Sequence, residues 1–288
     1  MPELPEVETV VRTLREHGLV GRTITDVVVR WPRTVDRPSV EELRARLRGQ
    51  RIGAAGRRGK FLILSLSTGD SLLVHLRMTG KLLVVSAGEP LDAHVHIILV
   101  LDDGRQLRFH DTRKFGRIYL VDEPAEVIGR LGPEPIDADF TAADLQAMLM
   151  RRHRQLKPLL LDQTFLAGLG NIYVNEALWL ARLHPERRSD TLSSQEVTAL
   201  YEAMRTVLRK GIENLGTTLG HGIPNFYGAG GEAGRNQEAL FVHGREGKPC
   251  PRCGASIQRL IVGQRASYVC PNCQPRNGET EKVTRDDQ

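Results

Sequence analysis

The chain has 288 residues, 40% of them hydrophobic and 26% charged, and 40 Lys and Arg against 35 Asp and Glu leave a formal net charge of +5. Such a length allows two domains and a substantial core, and the composition is ordinary for a globular protein. No apolar run approaches a bilayer-spanning length, and the start lacks the basic-then-apolar pattern of a secretory signal, so membrane and exported classes are set aside and a cytoplasmic protein is expected.

The basic excess is rich in arginine, whose planar fork suits phosphate, so nucleic acid is a reasonable partner. Arginine clusters stand at Arg57–Arg58 and through RRHRQLK (151–157). Taken alone, each reads as a solvated face.

The first element is MPELPEVETVVRTLREHG. Pro5 suits a first helical turn, Glu6 and Glu8 suit the positive end of the helix dipole, and Val7, Val10, Val11 and Leu14 share one face. A surface helix is expected over 5–17. Short β-branched or leucine-rich runs follow: RTITDVVVR (22–30), KFLILSLS (60–67), SLLVHLRM (71–78), HVHIILVL (94–101) and GRIYLV (116–121). The turn signals STGD and DDG join neighbouring runs as in hairpins, so an antiparallel sandwich or barrel is expected rather than a βαβ array. EELRARLRG (41–49) reads as a short inserted helix.

The prolines of RLGPEPIDADF (130–140) mark a boundary, after which the period becomes helical. Helices are expected in TAADLQAMLMRR, LKPLLLDQ, NIYVNEALWLARL and SSQEVTALYEAMRTVLRKGIENL. GTTLGHGIPNFYGAGGEAGRNQ (216–237) is a glycine-rich loop too long to be a passive connector. The tail from Arg276 is polar and mixed in charge, as disordered ends are. The organisation read is therefore 1–130 as an N-terminal domain, 131–140 as linker, 141–240 as a helical domain, 241–275 as a cysteine-bearing segment and 276–288 as a disordered tail.

All four cysteines lie late in the chain, as Cys250-Pro-Arg-Cys253 and Cys270-Pro-Asn-Cys273. Two CxxC pairs offer four thiolates from two tight turns, the ligand set of one structural Zn²⁺ with no open position. Redox dithiols and an iron–sulfur cluster are the alternatives. Arg259 and Arg265 lie between the pairs, on a hairpin whose side chains could enter a groove. In FLAGLGNIYVNEALWLA, Gly168 and Gly170 precede a helix that Asn171 would cap, a phosphate-binding arrangement or an ordinary glycine turn.

At the N-terminus, removal of Met1 would expose the secondary amine of Pro2. An α-amine has a pKa near ~8 and can attack carbon to form an iminium. Glu3 would donate a proton to a leaving group, and Glu6 would orient either residue. Lys60 of GRRGKFL opens a strand and taken alone is a surface lysine. HLRMTG (75–80) ends a strand in a turn with Met78 exposed. In DTRKFG (111–116), Arg113 and Phe115 share a face if the segment is extended. An apolar wedge beside an arginine suits a gap in stacked bases.

Together PELPEVET, RRGK, HLRMTG, DTRKFG, LGPEP, KPLLLDQ, GLGNIYVNEAL and QRASYVCPNCQ resemble the formamidopyrimidine-DNA glycosylase family, in order and spacing over almost the whole chain. The resemblance implies an α+β multidomain fold: an N-terminal antiparallel β-sandwich with flanking helices, then a helix–two-turn–helix domain with a zinc-finger β-hairpin. Damaged double-stranded DNA would lie in the cleft between the domains. Pro2 would be the nucleophile at C1′, Glu3 the acid for base departure and ring opening, and Glu6 a further member of the catalytic group. Lys60 would serve as proton donor or phosphate partner in β-elimination, and Arg265 would assist δ-elimination. His94, Arg113, His153 and Asn171 would hold the DNA backbone, with Met78, Arg113 and Phe115 filling the hole left by the everted nucleotide. Cys250, Cys253, Cys270 and Cys273 would hold Zn²⁺, in a monomer of the bacterial cytoplasm and nucleoid.

Two places depart from the family pattern. His153 stands where a lysine is usual, four residues before Lys157. The loop 216–237 is richer in glycine and lacks an acidic residue often found after GTT, which bears on the choice of oxidised base. Endonuclease VIII-like enzymes for oxidised pyrimidines are the nearest rival, but they usually open with PEGPE and lack the Met/Arg/Phe wedge. A non-catalytic zinc-ribbon DNA-binding protein is the rival from a different class.

Overall fold

The computed structural model describes residues 2–219 and 226–276. The expected disordered tail therefore lies, apart from Arg276, outside the described residues, as does the middle of the glycine-rich loop. The chain divides into two units, residues 1–131 with 210–238, and residues 132–209 with 239–288. 

The first unit opens with α1 (Leu4–Glu16), β1 (Ile24–Val29), β2 (Val35–Arg37) and α2 (Val40–Leu47). Seven strands follow: β3 (Ile52–Arg58), β4 (Phe61–Leu66), β5 (Ser71–His75), β6 (Gly80–Ser86), β7 (Val95–Leu101), β8 (Arg105–Asp111) and β9 (Arg117–Val121), then a short α3 (Ala125–Ile128). They form a four-stranded sheet, β1-β7-β8-β6, and a five-stranded sheet, β2-β9-β5-β4-β3. Pairing is antiparallel except for β2 on β9, which is parallel. Leu62, Leu64, Leu72 and Val74 from one sheet meet Ile97, Leu99, Leu107 and Phe109 from the other, with Leu43 and Leu47 of α2 in the same core. Burial of this apolar surface is the main force holding the sandwich.

Four strands were not foreseen. In β8, Leu107 and Phe109 alternate with Gln106, Arg108 and His110, and that polar face hides a strand at the centre of its sheet. In β3 (IGAAGRR) small residues carry little β signal. The short β2 and the strand β6, which starts directly at Gly80, were also passed over.

The helix α1 is not a surface helix. Val7, Val10, Val11 and Leu14 are buried as their spacing requires, but Glu6, Thr9 and Thr13 are buried too. Its second face is covered by the return of the chain at 216–219 and 226–230. A Cβ on Gly216 would sit 3.0 Å from Glu6 Cγ, and one on Gly228 would sit 3.3 Å from Thr13 Oγ1. The same return seats Phe226 and Ala229 in the sandwich core and pairs the Val84 amide with Ala229 O at 3.0 Å.

The second unit holds α4 (Ala142–Met150), α5 (Leu156–Leu160), α6 (Asn171–Leu180) and most of α7 (Ser194–Glu213), then the hairpin β10 (Gln258–Val262) and β11 (Arg265–Val269). Thr141 caps α4, its hydroxyl accepting from the Asp144 amide at 3.2 Å. Glu176 of α6 is buried and accepts three successive amides, Phe241, Val242 and His243, at 2.7, 2.9 and 2.8 Å. Its pKa stays raised because burial outweighs the lowering by those three amides. That carboxylate fixes the irregular segment leading into the cysteines.

Candidate active site and metal centre

Chain ends ordinarily fray into water. Here Pro2 is buried, Glu3 is 2% exposed and Glu6 is 1% exposed. Glu6 Oε2 accepts the Glu3 amide at 2.7 Å, and its Oε1 accepts the Thr217 amide at 2.7 Å. One carboxylate thus ties the first residues to the root of the glycine-rich loop. Asn236 Nδ2 donates to Thr217 Oγ1 at 2.9 Å, and Thr218 Oγ1 accepts from the Gly234 amide at 2.8 Å, so the loop's two ends are knitted together.

Lys60 follows Gly59, whose φ of +55° makes the tight turn between β3 and β4. It is no surface lysine, being only 5% exposed. A lysine is almost never this buried without a task or a partner. His75, at the end of β5, is also buried. Desolvation, with Arg77 and Lys60 nearby, pushes its pKa down to about 3. The neutral ring can therefore accept, and His75 Nδ1 takes the Arg77 amide at 3.0 Å while Arg77 holds φ +53°. This shapes the turn that leaves Met78 37% exposed.

Residues 112–115 form a turn rather than an extended segment, because Lys114 adopts φ +59°. Arg113 and Phe115 still face one another: the Arg113 guanidinium carbon lies 4.8 Å from the centre of the Phe115 ring, which is 46% exposed. His94 is exposed just before β7, its amide held by Asp92 and its ring set edge-on to His110. Asp111, which the sequence did not mark, lies beneath both turns: Oδ1 accepts the Thr79 hydroxyl and the Arg113 amide (3.2 Å), and Oδ2 accepts the Gly116 amide at 2.7 Å.

The two basic clusters differ: Arg57 and Arg58 are half-buried, whereas residues 151–155 form an exposed, solvated face. Arg57 pairs with Glu8 at 3.2 Å, Arg154 with Asp162 at 3.0 Å, and exposed His153 with Asp190 at 2.8 Å. Arg188 and His153 together hold Asp190 well below the usual carboxylate range.

In the second unit, Gly170 rather than Asn171 is the N-cap of α6. Asn171, one position further on, instead donates from Nδ2 to Ala266 O at 3.1 Å, and the Gly168 amide is taken by Gln163 at 3.0 Å. Lys157 is completely buried and donates to the same Ala266 O at 2.6 Å, to Ser267 Oγ at 2.7 Å and to Asn175 Oδ1 at 2.9 Å. Both residues grip β11 beside Arg265, whose side chain is exposed. Register places Arg265 opposite Val262 and Arg259 opposite Tyr268, so the two arginines project from opposite faces of the hairpin. They do not reach into one groove together.

The four cysteine sulfurs lie within 4.8 Å of one another, and no disulfide joins them. Cys253 and Cys270 sulfurs are 3.4 Å apart, and those of Cys250 and Cys273 are 4.0 Å apart. A tetrahedron with Zn–S bonds of ~2.3 Å has edges of roughly 3.8 Å, so the set fits one Zn²⁺. Although burial opposes it, amides of Arg252 and Cys253 and the Trp179 indole bring Cys250 down to about 6, while burial pushes Cys270 up to about 12. Four sulfurs this close ionise together only around a cation. Trp179 of α6 donates to Cys250 Sγ at 3.4 Å and stacks on Phe241, docking the metal site on the helical unit.

A two-sheet sandwich, a helical unit and a four-cysteine hairpin define a zinc-finger protein of the helix–two-turn–helix class. Residues 1–118 match the formamidopyrimidine-DNA glycosylase N-terminal domain, 131–221 the H2TH domain of the same enzymes, and 247–276 the zinc finger found in FPG and IleRS. Formamidopyrimidine-DNA glycosylases of Herpetosiphon aurantiacus and Pelotomaculum thermopropionicum are each 50% identical, across 95% of this chain and 100% and 99% of their own. The solved structure of a Lactococcus lactis FPG mutant with Fapy-dG containing DNA is 37% identical with a TM-score of 0.89, covering 96% of this chain and 100% of that one. A second, L. lactis Fpg with abasic-site DNA, has a TM-score of 0.87 at 37% identity, over 95% and 100% of the two chains. The chain belongs to the formamidopyrimidine-DNA glycosylase family. Among the described residues no helix is long and apolar enough to cross a membrane.

Proposed function

We propose that the chain is a bifunctional DNA glycosylase and AP lyase of base excision repair, acting on oxidised purines in damaged duplex DNA. The observation that carries this reading is the packed N-terminus, where Pro2, Glu3, Glu6 and Lys60 are all withdrawn from solvent in one unit. Once Met1 is removed, the Pro2 amine attacks C1′ of the damaged nucleotide, the glycosidic bond breaks, and Glu3 supplies the proton for base departure and ring opening. The iminium acidifies the C2′ proton. Its removal expels the 3′ phosphate, with Lys60 at that step, and a second elimination, assisted by Arg265, expels the 5′ phosphate. Hydrolysis of the iminium returns the amine.

A base in a duplex hides its C1′, so eversion comes first, at a cost of a few kcal/mol. Met78, Arg113 and Phe115 fill the vacated stack, and His94, His153 and Asn171 hold phosphates. With the His153 ring engaged by Asp190, its phosphate contact is the weakest of that set. Zn²⁺ on the four cysteines stiffens the hairpin that carries Arg265. We take the protein to act as a monomer in the bacterial cytoplasm, at the nucleoid.

Borohydride trapping on duplexes with 8-oxoguanine opposite cytosine tests the reading. A covalent adduct is expected, and Pro2→Gly should abolish it. No adduct with any oxidised base would overturn the enzyme reading, and an adduct formed only with an oxidised pyrimidine would overturn the substrate class.

A further inference from the structure

We propose that Asp111 is a positioning residue that locks the two wedge-bearing turns, 76–79 and 112–115, into one rigid piece. The proposal rests on the reading of Met78 and Phe115 as wedges. Each turn exposes one large apolar side chain, and the two are more than thirty positions apart in sequence. A free turn yields under load, whereas a side chain that must separate stacked bases needs a backbone that does not.

Asp111 ends β8 with no exposed surface. Its carboxylate is shared across both turns: Thr79 comes from the Met78 turn, and Arg113 and Gly116 flank Phe115. Thr79 Oγ1 also accepts the Arg113 amide at 3.3 Å, closing a ring of bonds between the turns. The Asp111 main chain is fixed as well, its carbonyl taking His96 Nε2 at 2.7 Å and its amide reaching His94 O at 2.9 Å. Behind the second turn there is no slack, since a Cβ on Gly116 would stand 2.3 Å from the Phe109 ring. Burying a carboxylate is costly, and packing alone would be served by an apolar residue. A hub that must accept from donors on both oxygens needs the charged form. Asparagine would turn an N–H₂ toward an N–H or O–H on one side or the other.

Single-turnover excision of 8-oxoguanine is compared in a fully paired duplex and in an unpaired bubble, where eversion costs little. Thr79→Val cuts the link while leaving Asp111 its amide partners. Thr79→Val and Asp111→Asn should each slow duplex excision roughly tenfold while changing bubble excision by less than about twofold. Thr79→Ser, which keeps the hydroxyl, should restore the duplex rate. Phe115→Ala and Met78→Ala should show the same split. Equal slowing of Thr79→Val on both substrates would overturn the proposal by making the role general to folding. A normal duplex rate for Thr79→Val beside a slow Phe115→Ala would overturn it while leaving the wedge reading intact. Phe115→Ala and Met78→Ala without the split would overturn the wedge reading and the proposal with it.

Discussion

Glu6 and Thr217 are 211 positions apart, yet the buried Glu6 carboxylate accepts the Thr217 amide at 2.7 Å with one oxygen while the other holds the Glu3 amide. The N-terminal end of the chain and the root of the glycine-rich loop share one acceptor. Glu6→Gln keeps one carbonyl oxygen but points an N–H₂ at whichever amide it abandons. Single-turnover excision should fall by about tenfold or more, while duplex affinity changes little. Unchanged excision in this variant would show that the shared carboxylate is dispensable.

Lys157→Met should separate the hairpin from its support. The variant leaves the Asn175, Ser267 and Ala266 oxygens without their ammonium donor, at about 1–3 kcal/mol for a buried group left unsatisfied. A fall in melting temperature of roughly 5 to 10 °C is expected. With Arg265 on a loosened strand, β-elimination products should accumulate over δ-elimination products on a gel. A variant with wild-type melting and product ratio would remove Lys157 from any supporting role.

Removing the metal should act through the same strand. Chelation, or Cys250→Ser, is expected to release one zinc per chain by colorimetric assay and to abolish duplex binding. Full binding by a zinc-free protein would mean that the hairpin does not present Arg265.

Buried His75 and half-buried His243 make an acid prediction with a definite sign. Burial, with Arg77 and Lys60 nearby, holds His75 at about 3, and burial, with Lys157 nearby, holds His243 at about 4. Both lie below the ordinary value near 6.5. Between those limits the unfolded chain binds more protons, so stability is present above pH ~6.5 and is lost as pH falls toward 4. His75→Asn, which keeps an oxygen for the Arg77 amide, should make the melting temperature less sensitive across that range. An unaltered pH slope would exclude His75 as a contributor.

Local pattern made part of this legible. The Val7, Val10, Val11 and Leu14 spacing marks the buried face of α1, and the CxxC pairs mark the metal site, because both are short-range signals. The burial of Glu6 was not legible, since the chain that covers it returns two hundred residues later. Asp111 looks like any strand-ending aspartate until Thr79 closes on it. Asn171 has the chemistry of a cap, but the helix already begins at it, so Gly170 is the cap and the Asn171 Nδ2 donates to Ala266 O instead. β8 was not legible because five of its seven residues are polar, leaving only Leu107 and Phe109 to mark its alternation.

The opposed arginines of the hairpin have a practical consequence. A two-stranded ribbon is one layer thick, so whatever approaches the Arg265 side leaves the Arg259 side open. A fluorophore or affinity tag attached at position 259 would then ride on the outer surface of a loaded complex, reporting on the finger without obstructing its cargo.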